Sequence, residues 1–321
     1  MTDVRSQLTW DVYVTAEEPI VTDDLAPGTT ERRWPPISAT LISAGRDAVL
    51  VDPLMTIAQA RGLGDWIAAS GKNLTAVFVT HGHGDHWFGL SVILDRFPGC
   101  RAFAVPGVVE KMRRASTPEY LAAVWNPRLP GKIPGRIVLA DPLPGHVIDL
   151  EGHQLVAVEL GHTDTDTTSC LHVPEIGLVV AGDAVYNDVH LHLSESDHQG
   201  RLDWLAALRT IESLHPTAVV AGHKRATRGN DPRIIGETRQ YIRDFNQVFE
   251  TTTTASAANT PALATATGDS AAARRVSAIC VVTDPAATRF SRTDIARSRS
   301  HSWTGRCESS RPTPTQTFTR L

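Results

Sequence analysis

Thr80-His81-Gly82-His83-Gly84-Asp85-His86-Trp87 is the stretch on which the reading of the whole chain turns. It follows directly on residues 76–79 (Ala-Val-Phe-Val), an apolar run with the composition of a buried strand. In an extended segment, residues i and i+2 point to the same side, so His81 and His83 reach one point. The glycines permit a tight turn, which brings Asp85 and His86 to a second point nearby. Four nitrogen and oxygen donors within six residues suit zinc or another first-row divalent ion.

Three later segments extend the pattern. Gly161-His162-Thr163 follows an apolar segment ending at Leu160, Ala181-Gly182-Asp183-Ala184 follows residues 178–180, and Ala221-Gly222-His223-Lys224 follows residues 218–220. Each time a ligand-capable residue comes just past an apolar strand, and strand ends along one sheet edge are where sites are assembled. The set comprises five His and two Asp, enough for two metal ions.

Around these motifs the first 250 residues read as an α/β unit. Strands are expected over 8–14, 39–43, 48–51, 76–79, 102–105, 147–150, 155–159, 170–173, 178–181 and 218–221, with a hairpin turn at 44–47. Helical spacing appears over 57–69, 87–97, 202–214 and 233–249. Residues 106–145 hold seven prolines and Trp125; they read as an insertion with helix over 109–115 and 119–125, serving as a lid or substrate wall, or as a surface connector. Two runs of strands, each with helices, imply two sheets packed face to face with helices outside.

The 321 residues carry 31 Lys+Arg and 35 Asp+Glu, a net charge of −4, unevenly spread. From Thr251 onward there are nine Arg, no Lys and four acids, so the preceding 250 residues are at −9, a poor match for a polyanionic substrate. In that last stretch 46 of 71 residues are Ala, Ser, Thr or Arg with no amphipathic period, so 251–321 is expected to be a low-complexity, disordered tail. No run of 18 apolar residues suggests a spanning helix. The start Met1-Thr2-Asp3-Val4-Arg5 shows no secretory pattern, and the four Cys show no CxxC spacing. These features point to a cytoplasmic protein without a disulfide framework, acting on a small molecule and not on nucleic acid or membrane.

The order His-x-His-x-Asp-His, Gly-His, Gly-Asp, Gly-His over residues 8–250 resembles the metallo-β-lactamase superfamily. The resemblance implies a four-layer αβ/βα sandwich of two mixed sheets. It also implies two Zn²⁺ ions: one on His81, His83 and His162, the other on Asp85, His86 and His223, with Asp183 bridging both. Paired ions about 3.5–4 Å apart hold a bridging hydroxide that is a nucleophile at neutral pH, so water-driven hydrolysis needs no Ser or Cys nucleophile. By the same resemblance Asp85 also passes a proton to the leaving group.

The superfamily covers several chemistries, and fold alone does not choose among them. Members that are true β-lactamases lack the bridging Asp present here as Asp183. RNA-processing members carry basic surfaces, and diiron redox members replace an early His by Glu. Tyr186, three residues after Asp183, resembles the phenol of acyl-homoserine lactonases, where it faces the substrate carbonyl; a donor at a developing oxyanion is chemically sound. The expectation is therefore cleavage of a small ester, lactone or related acyl compound. A mononuclear-iron persulfide dioxygenase and a metal-binding protein without catalysis stand as alternatives. Trp87 and Phe88 read either as a wall for an apolar group or as core. His146, His153, His172 and His215 read as surface or capping residues, His190, His192 and His198 as a solvated loop, and Cys170 as a small buried hydrophobe.

Overall fold

The computed structural model describes residues 7–25 and 28–251; the expectation of a tail concerns residues that, beyond Thr251, lie outside this range. The chain opens with β1 (Thr9–Val14), a two-stranded ribbon of β2 (Glu18–Ile20) and β3 (Arg32–Trp34), and the hairpin of β4 (Ser38–Ser43) and β5 (Asp47–Val51). Helix α1 (Ile57–Ala69) starts on a capping box in which Thr56 and Gln59 satisfy each other's backbone N–H, and it buries Ala60, Leu63 and Ile67. Next come β6 (Asn73–Phe78), α2 (Leu90–Arg96) and β7 (Arg101–Ala104). Helix α3 (Pro106–Ala115) begins on a proline, whose fixed φ suits the first helical position. A short α4 (Pro118–Tyr120), a wide turn over Leu121–Trp125 and an irregular stretch lead to β8 (Asp141–Pro142).

These strands make a six-stranded mixed sheet in the order β1-β4-β5-β6-β7-β8, antiparallel as far as β5 and parallel beyond it. The second half supplies β9 (Val147–Leu150), β10 (His153–Gly161), β11 (Thr168–Val173), β12 (Leu178–Asn187), α5 (His198–Ser213), β13 (Ala218–Lys224) and α6 (Arg233–Thr251). Its five strands order as β13-β12-β11-β10-β9, with only the β12–β13 pair parallel.

Strand alternation explains the layering. On β11, β12 and β13, Leu171, Val173, Leu178, Val180 and Val220 join the core that holds the first sheet. Their neighbours Cys170, Val179, Ala181, Val219 and Ala221 face the opposite way, into a second core with Trp204 and Leu208 of α5 and Ile242 and Phe245 of α6. The second sheet is thus buried on both faces, which accounts for its continuous apolar runs. The chain has the α/β sandwich expected from the sequence.

Several elements differ from expectation in ways that matter at the site. β12 and β13 run on to Asn187 and Lys224, so Asp183, Tyr186 and His223 lie inside strands and not past them. Apolar patterning stops at Gly182-Asp183 and Gly222-His223, yet pairing resumes at Tyr186↔His223 after two register shifts. Residues 87–89 precede α2: Gly84–His86 form a 3₁₀ turn, and the Trp87 indole donates to the Gly82 carbonyl at 3.0 Å. Trp87 and Phe88 are fully buried core residues, which excludes them as a substrate wall. His153 is likewise buried, paired with Glu175 at 2.7 Å, and not on the surface. Among the described residues no helix is long and apolar enough to cross a membrane.

Candidate metal centre

The two sheets meet along one edge, where their strands exchange isolated bridges at His81↔Thr168 and Ile37↔His223. Ser169 donates to the Thr80 carbonyl from both its N–H and its hydroxyl, and Ser38 Oγ donates to the Ala221 carbonyl at 2.6 Å. This seam brings the His-rich turn after β6 against β12 and β13.

Each of four imidazoles is held by one ring nitrogen and offers the other to a common space. His223 Nδ1 meets the Pro36 carbonyl at 3.0 Å, and His86 Nδ1 meets Asp52 Oδ2 at 3.2 Å. Thr80 Oγ1 donates to Asp52 at 2.8 Å, which leaves its oxygen to accept from His81 Nδ1 at 3.0 Å. His83 Nε2 meets Glu195 Oε1 at 3.0 Å. Such outer partners fix tautomer and ring orientation in metal-binding His residues.

The inward atoms fall into two sets. Nitrogens of His81 and His83 gather with oxygens of Asp164 and Asp183, and those of His86 and His223 with Asp85, the atoms of each set lying within 4.8 Å of one another. Asp183 reaches both: Oδ1 is 3.2 Å from His86 Nε2, and Oδ2 is 3.3 Å from His223 Nε2 and 4.0 Å from His81 Nε2. Asp85 Oδ2 lies 3.1 Å from His223 Nε2 and accepts from the Trp34 indole at 2.9 Å. Trp34 in turn packs against Trp125, with ring centroids 5.2 Å apart.

Two glycines make the approach possible. Gly182 has φ +54°, and a Cβ there would come within 2.5 Å of Thr80 Oγ1. A Cβ on Gly222 would come within 2.1 Å of Asp183 Oδ1.

Burial opposes every charge in the cluster, and the opposite charges outweigh it for most. Asp183 is held well below the usual carboxylate range by His223 and His86, and Asp85 is lowered by the same two imidazoles. Asp183 and Asp85 raise His86, and Asp183 with Asp85 lifts His223 to about 9, despite their burial. His81 alone of these four imidazoles is lowered, because burial prevails. The buried His81 Nε2, Asp164 Oδ2 and Asp183 Oδ1 have no aligned hydrogen-bond partner. Buried polar atoms are rarely left so. Converging nitrogen and oxygen donors of this kind fit first-row divalent ions.

Of the seven residues expected as ligands, six converge: His81, His83, Asp85, His86, Asp183 and His223. His162 stands apart from both sets, with its Nε2 3.0 Å from Ser196 Oγ. Tyr186 is buried beside the cluster; its hydroxyl donates to Asp183 Oδ2 at 2.7 Å, and its ring stacks on His223. Asp164, Asp52, Glu195 and Trp34 were not expected. Only Asp164 left a trace in the sequence, as a second ligand-capable residue two positions after His162. His192, expected in a solvated loop, is half-buried, with its ring edge-on to His83 at 5.3 Å. Residues 106–145 also touch the site's surroundings: Lys111 of α3 pairs with Glu195 at 3.2 Å and with Asp166 at 2.9 Å.

The sequence model described as the metallo-beta-lactamase superfamily matches residues 32–223. No curated protein matches the sequence. Among solved structures, a metallo-beta-lactamase from Pontibacter korlensis is similar at 16% identity and TM-score 0.53, covering 74% of this chain and 99% of its own. The metallo-beta-lactamase FIM-1 from Pseudomonas aeruginosa, in a mono-zinc form, is similar at 15% identity and TM-score 0.54, covering 76% and 98%. A metallo-beta-lactamase family protein from Thermus thermophilus is similar at 18% identity and TM-score 0.54, covering 74% and 82%. At such identities the likeness extends to the fold alone.

Proposed function

The chain belongs to the metallo-beta-lactamase superfamily, and from that premise we propose that it is a dinuclear zinc hydrolase of a small ester, lactone or related acyl compound. The observation that carries this reading is the position of Asp183, whose two oxygens face His86, His223 and His81 at 3.2, 3.3 and 4.0 Å. A carboxylate between two sets of donors suits a shared ligand. His81 and His83 would hold one ion; Asp85, His86 and His223 would hold the other. Imidazole-rich sets of this kind suit zinc. Bound there, the ions supply an activated water at neutral pH and polarise the acyl oxygen.

The remaining steps fall to the chain's own groups. Asp85 is positioned by the Trp34 indole, and its carboxylate would take a proton and release it to the leaving group. The Tyr186 O–H is the proposed donor to the acyl oxygen as charge develops there. The seam between the sheets keeps bulk water from the buried imidazoles, which strengthens each of these contacts. The −9 charge of the first 250 residues favours neutral or cationic substrates over polyanions.

A substrate panel tests the reading. Lactones, thioesters, nitrophenyl esters, phosphodiesters and a β-lactam are assayed with the metal content measured alongside. Turnover of an ester or lactone that is abolished by a chelator and restored by Zn²⁺ is expected. Turnover of phosphodiesters only would overturn the acyl assignment. Oxygen consumption with a persulfide, supported by iron and not by zinc, would favour the dioxygenase alternative.

A further inference from the structure

Resting on the dinuclear reading above, we propose that Asp164, and not His162, is the third protein donor to the ion held by His81 and His83. β10 ends at Gly161, whose φ of +75° turns the chain, and Thr163 N–H closes a tight loop on the Thr165 carbonyl at 2.9 Å. This loop carries Asp164 into the seam between the sheets, where it is 0% exposed. Thr163 Oγ1 lies 2.7 Å from Asp164 Oδ1 and fixes the carboxylate's orientation. The other oxygen, Oδ2, lies 2.7 Å from His83 Nδ1 and 3.6 Å from His81 Nε2.

Two of the buried atoms without an aligned hydrogen bond meet here, Asp164 Oδ2 and His81 Nε2, 3.6 Å apart. They come from separate segments, and with His83 and Asp183 their residues form the set whose ligand atoms all lie within 4.8 Å of one another. Burying two carboxylates beside one another is costly unless their charge is met, and a shared cation between the four side chains meets it.

His162 is committed elsewhere. Ser196 Oγ donates to the Thr163 carbonyl at 2.7 Å, so toward His162 Nε2, 3.0 Å away, it can only accept. The ring rests against Gly200 in the first turn of α5, where a Cβ would come within 2.5 Å of Nε2. His162 therefore ties the loop to the helix. With Asp164 in place, each ion receives two imidazoles and one carboxylate of its own besides Asp183. The added carboxylate offsets more of the ions' charge and makes the first position harder than a three-imidazole set.

The test compares full-length wild type, Asp164→Asn and His162→Gln. Asn keeps an oxygen for Thr163 and changes the one atom that faces the imidazoles. Zn²⁺ stoichiometry and affinity are read by competition with a chromogenic chelator, with far-UV circular dichroism of the metal-free forms as the folding control. Wild type should take two ions. Asp164→Asn should bind one of them more weakly by more than about 100-fold, beyond the 10–100-fold that outer partners contribute, while His162→Gln stays within about threefold of wild type. Two ions in wild type with full affinity in Asp164→Asn, or a matching loss in His162→Gln, would overturn the assignment and leave the dinuclear reading standing. A wild type that binds no Zn²⁺ would instead overturn that reading. A second measurement needs no variant: in the Co²⁺-substituted protein, paramagnetically shifted N–H resonances should count four ligand imidazoles, and a count of five would restore His162.

Discussion

His83 is gripped from both sides, by Asp164 at Nδ1 and by Glu195 at Nε2, and Glu195 is itself anchored by Lys111 and by Thr165 Oγ1 at 2.7 Å. Glu195→Gln keeps the size and loses the charge. Zn²⁺ affinity should fall by roughly 10–100-fold without loss of the fold, and an affinity unchanged in chelator competition would show that Glu195 only fills the surface. Tyr186→Phe separates two roles for one hydroxyl. If it meets the acyl oxygen, kcat should fall by roughly 10- to 1,000-fold with metal content unchanged; a loss of metal with kcat per loaded site unchanged would reduce it to a support for Asp183. The residues that the sequence makes legible here are those packed into short motifs, His81 to His86 above all. Asp52, Glu195 and Trp34 were not legible, because each meets the site through the fold and not through spacing: Trp34 and Asp85 are 51 residues apart.

At the scale of elements, the close approach of β12 and β13 beside Asp183 depends on glycine. Gly222→Ala would drive a methyl group to within 2.1 Å of Asp183 Oδ1 unless the strand moved. Overpacking of this kind costs about 1–3 kcal/mol. We expect a lower melting temperature together with weakened metal binding, measured by calorimetry and chelator competition; normal values for both would show that the strand gives way freely. Strand cores such as residues 178–180 and 218–220 were readable as apolar runs. Their continuations through Asp183, Tyr186 and His223 were not, since polar residues facing the site break the pattern while backbone pairing goes on. The wide turn over Leu121–Trp125 likewise has no marker in its sequence.

For the molecule as a whole, the cluster couples stability to pH. The raised imidazoles, His83, His86 and His223, contribute stability that is full below the ordinary His value of about 6.5 and is lost as the pH climbs toward the value of about 9 of His223. The lowered carboxyls Asp85, Asp164 and Asp183 contribute above the ordinary Asp range and lose that contribution as the pH falls. His81 and His192, lowered by burial, work against these three imidazoles but below the same window. The metal-stripped protein should therefore melt at lower temperature as the pH rises from about 6.5 to about 9, while Zn²⁺ affinity rises over the same window because protons no longer compete. A melting temperature that is flat or rising across that window in the stripped protein would contradict the charge pairing. The sandwich itself was legible, since alternating runs of strand and helix admit few layer arrangements; the seam that assembles the site was not, because it is built from isolated bridges.

The proposed hydrolysis resides in the metal cluster. Its most direct test is a titration of the metal-stripped, full-length protein with Zn²⁺, following turnover of whichever ester or lactone the panel identifies. No turnover is expected without metal, then a rise that saturates at two ions per chain, and no recovery in Asp183→Ala at the same Zn²⁺ concentrations. Full turnover by the stripped protein, or by metal-poor Asp183→Ala, would contradict it.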